Sequence, residues 1–146
     1  MADSLFQPLK IGPLKLPNRL IMPPVKLGYG TKEGEVTERH IAFYRRRAEG
    51  GVGLIITEPM YIAPNGREIP TQLGIYDNRL VEGLKRLTEA VHDAGGLIAA
   101  HINHAGRAAN PKLVPEGERE GPCLWILISP ERPSRVRRST SGPWSS

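Results

Sequence analysis

The sequence predicts an α/β fold built on a parallel sheet, on three observations. Near-continuous apolar runs recur at Leu20–Val25, Val52–Ile56 and Leu97–Ile102, as expected of strands covered on both faces. Between them lie two segments with apolar residues at helical spacing, each stopped by a glycine pair, Gly50-Gly51 and Gly95-Gly96. Each run also gives way to polar, glycine or proline residues at its carboxyl end, the end at which parallel α/β folds bind ligands.

Leu5–Gly12 and Leu14–Arg19 are two short alternating segments joined at Gly12-Pro13, which reads as a hairpin. Its prolines confine it to an edge or a cap. Leu20–Val25 is the first core strand, with its ladder ended by Pro23 and Pro24, and Lys26-Leu27-Gly28-Tyr29-Gly30 is a glycine-rich loop that lets backbone approach a ligand. Thr37 is the expected N-cap of the first helix, with Ile41, Tyr44 and Ala48 as its inward stripe. Val52–Pro59 is the second strand, apolar until Thr57 and Glu58. Asp77 or Asn78 caps the second helix, whose stripe is Leu80, Leu84, Leu87 and Val91. Leu97 opens the third strand, which runs into His101-Ile102-Asn103-His104-Ala105-Gly106-Arg107. The order hairpin, β, α, β, α, β implies right-handed βαβ units. An open doubly wound sheet and an α/β barrel both fit it. A dinucleotide-binding open sheet ranks last, because Gly28-Tyr29-Gly30 is followed by Thr31-Lys32-Glu33 and lacks the third glycine of G-x-G-x-x-G.

The 146 residues suffice for one domain with a core, and fall short of the about 250 typical of an eight-stranded barrel. The net charge of +5 is mixed with carboxylates over most of the length, which argues against a nucleic-acid surface. No run is long and apolar enough to suggest a membrane span, and no signal segment opens the chain, so a cytoplasmic protein is expected. The single cysteine, Cys123, has no partner for an internal disulfide, and no metal site is expected. Residues 118–146 differ in character: they hold both tryptophans and five arginines but none of the six lysines. Leu124–Ile128 is a short strand-like run, and Pro130–Ser146 reads as disordered.

Five segments in series resemble the old yellow enzyme family of FMN-dependent oxidoreductases. They are Leu5–Gly12 with Leu16-Pro17-Asn18-Arg19, Met22-Pro23-Pro24, Thr37–Tyr44, Gly51–Glu58 and His104-Ala105-Gly106-Arg107. Each is weak alone; their order and spacing make the likeness specific over about residues 5–113. The resemblance implies the N-terminal part of a (β/α)8 TIM barrel, incomplete, comprising the hairpin, about three parallel strands and two helices. Residues 1–117 are then the FMN-binding barrel fragment and 118–146 a non-homologous tail. The tail's abrupt change of composition resembles a reading-frame shift in a GC-rich gene or a truncated gene assignment; a genuine alternative C-terminus stays open.

The resemblance also implies site residues. Pro23, Pro24, Val25 and Lys26 correspond to the stretch beside the isoalloxazine ring. Lys26 stands where the family usually has a small Thr or Cys, and a cation there favours the anionic reduced flavin; a solvated loop lysine is the alternative. Pro59 falls where the family offers backbone to the flavin, and it keeps a C=O but no N–H. His101 replaces a glutamine that hydrogen-bonds the flavin pyrimidine; one donor and one acceptor can serve part of that contact, and a satisfied buried histidine is the alternative. His104 and Arg107 are expected to shape the loop. His40 is expected at the helix surface without a partner.

The implied activity is hydride transfer from NAD(P)H through FMN to an activated alkene, with homo-oligomerisation compatible. The family's substrate-anion pair, proton-donating tyrosine and phosphate-binding segments lie on later strands, so no catalytic residue is expected here. The competing expectation is a non-catalytic truncated fragment or half-barrel interaction module. A partial barrel exposes sheet edges and apolar helix faces, so the isolated chain is expected to be marginal.

Overall fold

The computed structural model describes residues 4–114 and 117–119. The strand-like run Leu124–Ile128 and the Pro130–Ser146 segment lie outside these described residues.

Strands β1 (Leu9–Ile11) and β2 (Leu14–Leu16) form the antiparallel hairpin, with Leu9 opposite Leu16. Gly12 makes the turn at φ +56°, a conformation that L side chains rarely adopt. A separate parallel sheet has the order β3-β4-β5. Strand β3 (Ile21–Met22) is only two residues long, shorter than the apolar run suggests, because Pro23 and Pro24 offer no ladder donors. Helix α1 (Glu38–Glu49) leads to β4 (Leu54–Tyr61), and helix α2 (Val81–Asp93) leads to β5 (Ile98–Asn103). The α/β class and the βαβαβ order are as the sequence predicts.

The capping chemistry follows the sequence closely. At the start of α1 the Thr37 N–H donates to His40 Nδ1 at 3.2 Å, so a histidine takes the part that glutamate plays in a capping box. Asp77 caps a 3₁₀ turn, Asn78–Leu80, by accepting the Arg79 N–H at 2.9 Å, and that turn runs directly into α2. Both glycine pairs sit just beyond their helices, with Gly51 and Gly95 at φ +80° and +76°.

The core lies between the sheet and the two helices. Tyr44 and Ala48 of α1, Ile55 of β4, and Leu87 and Val91 of α2 form one buried cluster, with Ile41, Val52 and Ile98 packed against it. Apolar surface stays open elsewhere: Ile102 is 63% and Val81 55% exposed. β3 and β5 are the outer strands of the parallel sheet among the described residues.

Leu87 is 1% exposed at the centre of this cluster. Leu87→Ala is expected to destabilise the chain by about 2–5 kcal/mol, through lost transfer energy and the cavity left behind. Urea unfolding followed by far-ultraviolet circular dichroism measures this.

Candidate functional site

The site begins with an irregularity in β4. Ile56 pairs with Ala99, but the next paired residues are Pro59 and His101, so β4 carries one residue more than β5 across that interval. This is a β-bulge at Thr57-Glu58, and it makes room for a proline in a central strand, where the missing N–H would otherwise break the ladder. The Thr57 Oγ1 accepts the His101 N–H at 3.0 Å, standing in for a ladder carbonyl. Pro59 is buried, and its carbonyl accepts from Gln72 Nε2 at 3.0 Å.

The bulge brings the Glu58 side chain into contact with α1. Glu58 and His40 are each 0% exposed, with Glu58 Oε1 2.6 Å from His40 Nε2. This overturns the expected surface position of His40. The Thr37 N–H can donate only to a bare nitrogen, so His40 Nδ1 accepts and Nε2–H donates to Glu58. The same pair reaches the glycine-rich loop. The Leu27 N–H points at Glu58 Oε2, 3.4 Å away, and the Tyr29 ring meets the His40 ring edge-on at 5.7 Å. The Thr37 hydroxyl donates to the Tyr29 carbonyl at 2.8 Å. A partner for His40 eighteen residues away, reached across a bulge, leaves no mark in helical periodicity.

Tyr44 completes the inner network: its hydroxyl oxygen accepts the Glu58 N–H at 2.7 Å. Burial pushes the Tyr44 phenol up to about 12, and the neighbouring Glu58 charge acts in the same sense. Burial likewise raises Tyr61 to about 12.

A second polar cluster sits at the carboxyl-end rim of the sheet. Glu68, in the loop after β4, pairs through Oε2 with the Lys26 ammonium and through Oε1 with Asn103 Nδ2 at 3.1 Å. Its N–H donates to Gln72 Oε1 at 2.8 Å, and its C=O accepts from Asn110 Nδ2 at 3.1 Å. Gln72 is fully buried and therefore links this cluster to Pro59. Glu68 and Gln72 are absent from the sequence-derived site. Their signal is only their place, a polar loop leaving the carboxyl end of a strand.

Pro23, Pro24, Val25 and Lys26 are exposed along the loop after β3. His101 is half-buried and lies opposite Pro59 in the ladder. Its Nδ1 is covered and has no hydrogen-bond partner among the described residues. Asn103, two residues on, shares its face of β5; its Nδ2 donates to Glu68, the partner of Lys26. His104 shapes the loop, as expected. Its Nδ1 accepts the Gly106 N–H at 3.0 Å, and its Nε2 lies 3.2 Å from Asn65 Oδ1. A Cβ on Gly66 would come within 2.6 Å of this ring, so only glycine lets the backbone pass.

Parallel strands with polar groups gathered at their carboxyl ends are the arrangement at which α/β barrels bind their ligands. Comparison with known proteins gives the family. The model of the NADH:flavin oxidoreductase / NADH oxidase family matches residues 4–132. A metal reductase of Desulforamulus reducens is 47% identical over 110 residues, covering 75% of this chain and 16% of that protein. An NADH oxidase of Thermoanaerobacter brockii is 36% identical over 132 residues, covering 87% and 20%. The crystal structure of old yellow enzyme from Pichia sp. AKU4542 superposes with a TM-score of 0.72 at 38% identity, covering 75% of this chain and 28% of that one. The chain belongs to the NADH:flavin oxidoreductase / NADH oxidase family, and its fold is the N-terminal part of the old yellow enzyme barrel. It spans at most about a fifth of the length of the two curated relatives.

Two outcomes are expected of the inner network. His40→Ala leaves the Glu58 carboxylate buried and unpaired, at a cost of about 3–5 kcal/mol in chemical unfolding. The phenol of Tyr44 is raised from 10.0 to about 12 in the fold, so the folded state holds its proton more tightly than the unfolded chain does. Its contribution is fully present below pH 10 and is lost as pH rises towards 12. Unfolding monitored alongside tyrosinate absorbance should show stability falling across that window.

Proposed function

We propose that this chain forms the flavin-facing rim of an FMN-dependent NAD(P)H oxidoreductase of the old yellow enzyme type. The observation that carries the reading is the partnerless, covered His101 Nδ1 at the ligand-binding end of the sheet. A buried polar atom left without a partner costs about 1–3 kcal/mol, and a ring rotation that presents it to a ligand group removes that cost. The residues at the rim fit one side of a flavin ring. Pro23, Pro24 and Val25 offer an exposed, ladder-free backbone, Lys26 offers a cation, and His101 offers a hydrogen-bonding imidazole. Pro59 would contribute only its carbonyl, which already accepts from Gln72 and has a second lone pair to offer.

When bound, FMN supplies hydride acceptance from NAD(P)H and delivery to an activated alkene such as an enone. This chain's part is to hold and polarise that group. Lys26 would stabilise negative charge developing on it, and His101 would fix its orientation. The proton donor and substrate-anion groups are assigned to later strands of the barrel. The reading places the protein in the cytoplasm, with self-association compatible.

The chain by itself is proposed to bind FMN without turning over. Three parallel strands leave β3 and β5 as outer strands among the described residues, and binding has to order surfaces that a closed barrel holds fixed. Purified chain refolded with excess FMN should quench flavin fluorescence and show no enone reduction with NADH or NADPH. Absence of quenching at any FMN concentration rules out the flavin-rim reading. Turnover by the chain alone contradicts its inactivity.

A further inference from the structure

The Lys26 cation is not alone at the rim, and its partner is held with unusual completeness. Every polar group of Glu68 is engaged: Oε2 with Lys26, Oε1 with Asn103 Nδ2, the N–H with Gln72 Oε1 and the C=O with Asn110 Nδ2. These contacts come from the loop after β3, the end of β5, the buried Gln72 side chain and the loop beyond β5. The Glu68 side chain is 20% exposed, whereas that of Lys26 is 48% exposed. The carboxylate is therefore the fixed member of the pair and the lysine the mobile one. Long lysine side chains have several rotatable bonds and settle where an acceptor is placed.

We propose that Glu68 is the positioning residue for Lys26: it holds the ammonium at the β3–β5 rim and so sets where positive charge is presented to a bound flavin. The inference rests on the flavin-rim reading for its redox consequence, but the pair exists in the chain itself. Glu68 thereby determines how far Lys26 can favour the reduced, anionic ring. A carboxylate acting only through its own charge would shift the flavin independently of Lys26. A carboxylate that positions Lys26 makes the two effects depend on each other.

Two measurements on the full chain separate these cases. The first needs no flavin: residue-resolved acylation of lysines with an amine-directed ester, read by mass spectrometry. Glu68→Gln should raise the rate at Lys26 by about two- to five-fold, the range of a partly exposed ion pair, and leave Lys85 unchanged. Glu68→Asp should restore part of the protection. The second is the midpoint potential of bound FMN in the original chain, Lys26→Met, Glu68→Gln and the double variant. The potential drop caused by Lys26→Met should differ according to whether it is made in the original chain or on top of Glu68→Gln. Additive shifts overturn the positioning role, as does an unchanged acylation rate in Glu68→Gln. If the chain holds no FMN, the flavin-rim reading fails, and the acylation result alone decides whether Glu68 positions Lys26.

Discussion

The contact between Glu58 and His40 is the constraint on which the rest of this structure depends. Both side chains are out of water, and burying such a pair is costly unless its remaining polar atoms are also satisfied. Here they are: His40 Nδ1 accepts from the Thr37 amide, Glu58 Oε2 lies against the Leu27 amide, and the Glu58 N–H reaches Tyr44. The net energy of such a pair is small when set against an apolar replacement. Its consequence is geometric. It joins the start of α1, the bulge of β4 and the loop after β3, and so fixes these three pieces relative to one another.

The bulge passes that arrangement outward. One extra residue in β4 lets Thr57 satisfy the His101 amide and lets Pro59 occupy a central strand. Gln72 then accepts the Glu68 amide and donates to the Pro59 carbonyl, so the partly exposed Lys26–Glu68–Asn103 cluster rests on the buried Pro59. A rim built this way holds Glu68 by four contacts and leaves the Lys26 side chain half exposed. Rigid support beneath a few adaptable polar groups suits the orientation of a ligand without reorganising the sheet.

The fold is legible in the sequence because its signals are local. The Gly12-Pro13 turn, the Thr37 and Asp77 caps, the glycine pairs and the stripes through Tyr44, Ala48, Leu87 and Val91 each act within a few residues. The His104 loop is legible for the same reason, since its partner Gly106 is two residues away. The inner site is not. His40 reads as a surface residue because its partner is on another element, and the bulge that brings Glu58 to it is a feature of strand pairing, not of sequence period. Glu68 and Gln72 escape a reading of the sequence because their loop has no periodicity, and the Glu68 contacts span up to 42 residues. Lys26 is visible as a loop cation after a strand's carboxyl end, but a counter-ion that distant cannot be read from its neighbourhood.

Ile102 and Val81 leave apolar surface exposed at the end of β5 and the start of α2. If the carboxyl-end rim of this sheet is the flavin face, amide-resolved NMR of the chain titrated with FMN will show shifts concentrated at Val25, Lys26, Glu68 and His101, with the outer face of α1 at Arg45 and Arg46 unmoved. Shifts confined to the arginines of α1, or no saturable shifts at the rim, would contradict it.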